Sequence, residues 1–236
     1  MRAGGVMGRG SLATRALGGT AGLLLAAGLY LGLVVAPPDA VQGDVQRIMC
    51  VHVPSIVTAY IAFFVVFCTS ILYLWKRDLR FDAVAVSSAE IGVVFTGITL
   101  ATGMIWGKPT WGVWWTWDAR LTLAAILFTI YVGYLMLRAF AEEPLAGARY
   151  GAVLAILGFL DIPLNHLAVY WWRTLHQPSS ILRPGGPSVA SDMLLPLAMN
   201  FAGLVLLSTY FLVERVRLER LRHRTAEVRL TRGRRG

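Results

Sequence analysis

"WGKPTWGVWWTWDAR", Trp106 to Arg120, holds five of the chain's eight tryptophans. It interrupts two long apolar runs, roughly 87–106 before it and 121–138 after it. A lipid core of about 30 Å needs roughly 20 apolar residues in a helix to cross it. Both runs meet that length, so the aromatic stretch reads as the turn between two membrane spans. Four further runs qualify, at about 19–36, 54–75, 149–170 and 194–213. The expected fold class is therefore an all-α polytopic membrane protein with six transmembrane helices. Composition agrees. Of 236 residues, 56% are hydrophobic and only 15% charged, with a mean hydropathy of +0.61, whereas a soluble domain is about a quarter charged.

The first run follows Arg2, Arg9 and Arg15, a pattern shared with signal peptides. Its length, and Pro37 and Pro38 directly after it, favour an uncleaved span. Lysine and arginine set the orientation. Arg2, Arg9, Arg15, Lys76, Arg77, Arg80, Arg138, Arg149 and nine arginines from Arg215 to Arg235 fall on one side. Only Arg47, Lys108, Arg120, Arg173 and Arg183 fall on the other, 17 against 5. Both termini are thus expected in the cytoplasm, and the tryptophan stretch in an outward loop. The organisation follows: a cytoplasmic N-terminus over 1–18, a six-span domain over 19–213 with its outward loop at about 107–120, and a basic cytoplasmic tail over 214–236. The net charge of +9 comes mainly from that tail. Beside a last membrane span it reads as positive-inside anchoring and attraction to anionic lipid, not as a nucleic-acid site.

Seven of the eight tryptophans lie on the expected outer side: Trp106, Trp111, Trp114, Trp115, Trp117, Trp171 and Trp172. An interfacial aromatic belt would populate both sides, and the inner side has only Trp75. A one-sided cluster of indoles offers flat apolar faces for a flat ligand. Gly107 and Gly112 leave room for close approach, and Pro109 stiffens the segment. Asp118 stands where a helix N-cap is expected, before the span that opens with "ARLT". Arg120 sits in that span's first turn, against the helix dipole. It answers either a ligand carboxylate or a nearby acid such as Asp118.

Three of the four histidines are outward; His223 lies in the basic tail. His52 stands in "VHVPS", and Pro54 reads as the start of span two. His176 stands in "WWRTLHQP" beyond span five, and His166 lies inside that span's outer end. Neutral imidazole binds iron, copper and zinc. Zinc or copper does not call for a wall of indoles. Haem does, because its iron takes axial histidines, its ring wants flat apolar surfaces and its propionates want Arg or Lys. Lys108, Arg120, Arg173 and Arg183 are the outward basic candidates. Cys50 and Cys68 form no CxxC pair. Cys50 is an alternative metal ligand, and Cys68 a small core residue. Within span five, Asp161 and Asn165 share a face, His166 faces Tyr170, and Pro163 is placed to kink the helix. Asp161 and His166 read as polar glue between spans. Glu90 lies nearer the inner surface.

"WGKPTWGVWWTWDARLT" resembles the tryptophan-rich pattern WGxxWxWDxRLT of haem-handling membrane proteins in cytochrome c biogenesis. "HVPS" before span two and "WWRTLHQP" after span five resemble the same proteins' two histidine motifs. Order, spacing and length are most similar to the haem exporter protein C (CcmC) family, over roughly residues 20–215. The resemblance implies binding of haem b at the outer face of the bacterial inner membrane. It implies presentation to a haem chaperone, CcmE, which takes haem covalently, with CcmA, CcmB and CcmD as further partners. By motif, His52 and His176 would be the axial ligands. Trp111, Trp114, Trp115 and Trp117 would form the platform, with Asp118 and Arg120 at its edge. Such a protein is an assembly factor, with no catalytic residue of its own assigned. The competing classes are a permease, which favours broken helices and midplane polar groups, and an electron-transfer cytochrome b, which would place histidines within the spans on both sides.

Overall fold

With no water in the lipid core, a spanning backbone must satisfy its own amides, and helices do this within each segment. The computed structural model describes residues 12–176, 180–181 and 184–233, by backbone alone beyond Leu221. Arg2, Arg9 and Arg183, and the side chain of His223, lie outside the described residues. The described chain is helical without strands, and six segments are long and apolar enough to span: Leu12–Val35, Asp44–Lys76, Leu79–Trp111, Ala119–Phe140, Pro144–Trp171 and Ser191–Leu221. The helices are α1 (Leu12–Tyr30), α2 (Met49–Lys76), α3 (Leu79–Trp111), α4 (Ala119–Phe140), α5 (Pro144–Phe159), α6 (Asp161–Trp171) and α7 (Ser191–Gly233). α1 ends in a π-turn at Leu31–Val35, and a 3₁₀ turn at Asp44–Ile48 leads into α2.

Three boundaries differ from the sequence expectation, each for a physical reason. The helix of span two starts at Met49 and passes through Pro54. A proline this near a helix start removes one ladder bond, to the Cys50 carbonyl, and the 3₁₀ turn before it supplies the earlier turns. Span five is two helices, α5 and α6, which break at Leu160. Pro163 explains the break, because its ring crowds the carbonyl four residues earlier, at Phe159. The basic segment expected as a tail continues α7 as helix to Gly233.

The hairpin of α2 and α3 forms the centre. α1 packs chiefly on α7 at one side, while α4, α5 and α6 close the other. The hairpin turns in two residues. Arg77 adopts φ 56° and its N–H donates to the Tyr73 carbonyl, while the Asp78 carboxylate accepts from Arg80 N at 2.8 Å and caps α3. The centre of the core is a stack. Phe63 of α2 lies on Tyr131 of α4 at 3.8 Å between ring centroids, both fully buried. The Tyr131 hydroxyl donates to the Ala155 carbonyl at 3.1 Å. Helix α3 meets this stack with small residues, Ala85, Ala89 and Gly92 among them. Small residues allow close packing where lipid supplies no hydrophobic drive between helices.

Two ion pairs tie the bundle toward the end where α2 turns into α3. Arg138 of α4 donates to Asp82 of α3 at 2.6 Å with both side chains nearly buried, and Arg215 of α7 engages both oxygens of Glu90 of α3. The opposite end gathers the C-terminus of α3, the N-termini of α2, α4 and α7, and the C-terminus of α6.

A Cβ placed on Gly92 would lie 2.3 Å from the edge of the Phe63 ring, which Tyr131 holds from the other side. Gly92→Ala should therefore destabilise the protein by about 1–3 kcal/mol through overpacking. Thermal unfolding in detergent checks this: Tm should fall for Gly92→Ala and stay near the parent's for Gly133→Ala, where a Cβ meets nothing within 4 Å.

Candidate functional site

The aromatic stretch is only partly a loop. Helix α3 continues through Trp106 and Pro109 to Trp111, and Gly112 at φ 81° ends it, its N–H donating to the Lys108 carbonyl. Lys108 Nζ donates back to the Gly112 carbonyl at 2.9 Å, so this lysine caps a helix end. The segment expected over about 107–120 thus narrows to the seven residues Gly112–Asp118. Pro109 stiffens the last turn of the helix, since a solvated helix end tolerates the missing N–H.

Asp118 then caps α4 as expected, its Oδ1 accepting from Leu121 N at 2.9 Å. Its other oxygen does something the sequence did not foretell. Oδ2 faces Leu175 N at 3.4 Å and His176 Nδ1 at 3.6 Å, across 57 residues of chain. One carboxylate therefore starts a helix and anchors a histidine loop.

The two histidines are set in similar ways. His52 Nδ1 lies 3.0 Å from the hydroxyl of Thr102 on α3. That hydroxyl has one proton and gives it to the Ile98 carbonyl at 2.8 Å. In that arrangement the hydroxyl accepts from His52, and the matching tautomer, with the ring proton on Nδ1, leaves the Nε2 lone pair free. For His176 the carboxylate beside Nδ1 favours the same tautomer. Each ring also meets an indole edge of α3: Trp106 at 5.6 Å from His52 and Trp111 at 4.8 Å from His176, between centroids. Trp106 is fixed in turn, its Nε1 donating to Gln42 Oε1 at 2.7 Å.

Arg120 completes the group. Its guanidinium pairs with no carboxylate among the described residues, so the alternative of an Asp118–Arg120 salt bridge is not formed. It lies within electrostatic reach of His52, His176 and Tyr60. His176 is held below its ordinary value of 6.5, first because it is buried and then because Arg120 is near; Asp118 pulls the other way. At pH 7 its ring is neutral and free to ligate.

The remaining indoles divide. Trp115 is half-buried, edge-on to Trp117 at 5.6 Å, while Trp114 and Trp117 stand exposed at 58% and 79%. Trp115 Nε1 and Thr116 Oγ1 are buried without hydrogen-bond partners. Trp171, Trp172 and Arg173 are exposed at the same end.

Other residues expected near the site fall elsewhere. Cys50 is buried against Ala36 and Met193, with its sulfur packed toward Gly32, so its role is packing and not metal ligation beside His52. His166 is exposed, 6.5 Å from Tyr170 between ring centroids, where it glues no spans together. Asp161 and Asn165 do share the buried face of α6. Thr102, Gln42, Tyr60 and Asn165 were not singled out for the site. Thr102 carried a readable signal, lying one turn before Trp106 on one helix face.

Six apolar spans, with a histidine pair beside indoles gathered at one end, define a polytopic membrane protein. The chain belongs to the Heme exporter protein C (CcmC) family, whose model matches residues 7–231. It is 39% identical to the Heme exporter protein C of Bradyrhizobium diazoefficiens, over 88% of this chain and 79% of that one. It is 37% identical to the protein of the same name in Escherichia coli K12, over 90% and 87%. It is 38% identical to that of Haemophilus influenzae, over 85% and 81%.

The charges around His176 predict its titration. Asp118→Asn should lower its pKa further, and Arg120→Ala should raise it, because the first removes a stabilising anion and the second a repelling cation. Ring-carbon NMR of histidine-labelled protein checks both signs.

Proposed function

We propose that this protein binds haem b at the outer face of a bacterial inner membrane and presents it to the chaperone CcmE during cytochrome c maturation. CcmA, CcmB and CcmD are its complex partners in this reading, and both termini lie in the cytoplasm. Its similarity to Heme exporter protein C of other bacteria supports haem export as the setting. The charge asymmetry of the loops supports the orientation.

One observation carries the reading: two histidines from separate elements lie within electrostatic reach of each other and of Arg120, His52 Nδ1 3.0 Å from the Thr102 hydroxyl and His176 Nδ1 3.6 Å from Asp118 Oδ2. Among the described residues, no group of three or more His, Cys, Asp or Glu could hold a bare ion. Two imidazoles suit iron that already carries four equatorial nitrogens. The other groups fit haem as well. Indoles flank both histidines, and a guanidinium with no carboxylate partner among the described residues stands ready for a propionate. Haem would supply iron for the two histidines to hold and vinyl groups for covalent attachment to a partner.

The chain's own residues divide the work. His52 and His176 would hold the metal, with Thr102 and Asp118 beside their Nδ1 atoms to orient the rings. Trp111 and Trp115 exclude water at the base of the platform, and exposed Trp114 and Trp117 face the chaperone. Arg120 neutralises the ligand's acid edge.

A second reading, a permease for haem or another small solute, draws on the broken fifth span with buried Asp161 at the start of α6. The two readings separate by substitution. Under the first, Asp161→Asn leaves haem loading of CcmE intact. Under the second, it stops flux into proteoliposomes while haem retention is kept.

The protein purified with CcmE should show a stronger haem b spectrum than without it, and haem in neither preparation would sink the first reading. His52→Ala and His176→Ala should each weaken haem retention by more than the about 10–100-fold typical of losing an outer partner, and stop loading of CcmE. Loss confined to His166→Ala would overturn the ligand assignment. Arg120→Ala should weaken haem binding more than binding of the propionate-esterified porphyrin.

A further inference from the structure

Beneath the site lies a buried amide with both ends in use. Asn165 is 2% exposed. Its Nδ2 donates to the Arg120 carbonyl at 2.9 Å, and its Oδ1 accepts from the Tyr60 hydroxyl at 3.1 Å. One side chain of α6 thus joins the first turn of α4 to the middle of α2. Helix α2 carries His52, and the start of α4 carries the Asp118 cap that faces His176. Tyr60 lies eight residues beyond His52, about 12 Å along α2. Arg120 lies two residues beyond Asp118, whose carboxylate faces His176.

We propose that Asn165 is a positioning residue that sets the spacing between the His52 and His176 halves of the site. A continuous polar path runs from His176 through Asp118, the first turn of α4, the Arg120 carbonyl, Asn165 and Tyr60 to α2. Direct packing between helices fixes distance loosely, since apolar surfaces slide. Two hydrogen bonds on one rigid amide fix it closely, and burial makes leaving either end unmade expensive. An axial pair needs that closeness, because a ligating nitrogen tolerates only a few tenths of an ångström of error. The role rests on the haem reading for its purpose but not for its geometry.

The test uses the full-length protein in nanodiscs with Asn165→Leu, Tyr60→Phe and the double variant. Hydrogen exchange by mass spectrometry reads the clamp without haem. Amides of residues 112–122 should exchange faster in both single variants, while the α1–α7 pair stays as in the parent. Unchanged exchange at 112–122 would overturn the proposal. Should Asn165→Leu fail to fold, Tyr60→Phe decides alone, since it removes one oxygen.

Haem retention and the low-spin fraction of the absorption spectrum give the second readout. Asn165→Leu should lose about tenfold in retention and show a reduced low-spin fraction, Tyr60→Phe should lose less, and the double variant should match Asn165→Leu because the two share one path. Additive losses, or lowered Tm with a parental spectrum, would mean a merely structural amide. If the parent itself holds no haem, the haem reading falls, and the exchange data still decide the clamp.

Discussion

A helix inside lipid has no water to satisfy a stray polar group, and this constraint shapes the whole molecule. It forces the backbone into six self-satisfied segments. It also sends the chemistry to the ends, where helices finish and side chains replace missing backbone partners. Asp118 is the clearest outcome. A carboxylate needed to start α4 has a second oxygen to spare, and that oxygen meets the loop bearing His176. Helix capping and site building are the same event.

Within the bundle the constraint works by exclusion. Several polar side chains inside the bundle find partners on other helices. Arg138 holds Asp82 between α3 and α4, Arg215 holds Glu90 between α3 and α7, and Asn165 joins α2, α4 and α6. Each bonds helices across long stretches of chain. They stand in for the hydrophobic drive that a soluble core has and a membrane bundle lacks. Asp161 lacks such a partner, with one buried oxygen without a hydrogen bond at the α5–α6 break, as do the buried hydroxyls of Ser55, Thr58 and Ser88.

The spans were legible in the sequence because hydropathy is a property of the chain's local composition. The cap at Asp118 was legible for the same reason: its partner is three residues away. Helix ends were less so, since Pro54 and Pro109 look like boundaries and the helices pass through both. The supports of the site were mostly hidden. His52 finds Thr102 across 50 residues, and Asn165 finds Tyr60 across 105. Local pattern carries no trace of such pairings. The Glu90–Arg215 pair, 125 residues apart, was invisible in the same way.

Helix α3 presents Trp106 to His52 and Trp111 to His176. Those indoles are five residues apart on a continuous helix, so they differ by about 140° in bearing and about 7.5 Å in height. The helix is thus a ruler marked in two places. One inserted residue between the marks would swing Trp111 by about 100° and strip His176 of its neighbour. Insertions are usually tolerated in loops and purged from cores. Here the stretch least able to lengthen is the five-residue interval of exposed helix that reads, by its composition, like the beginning of a loop.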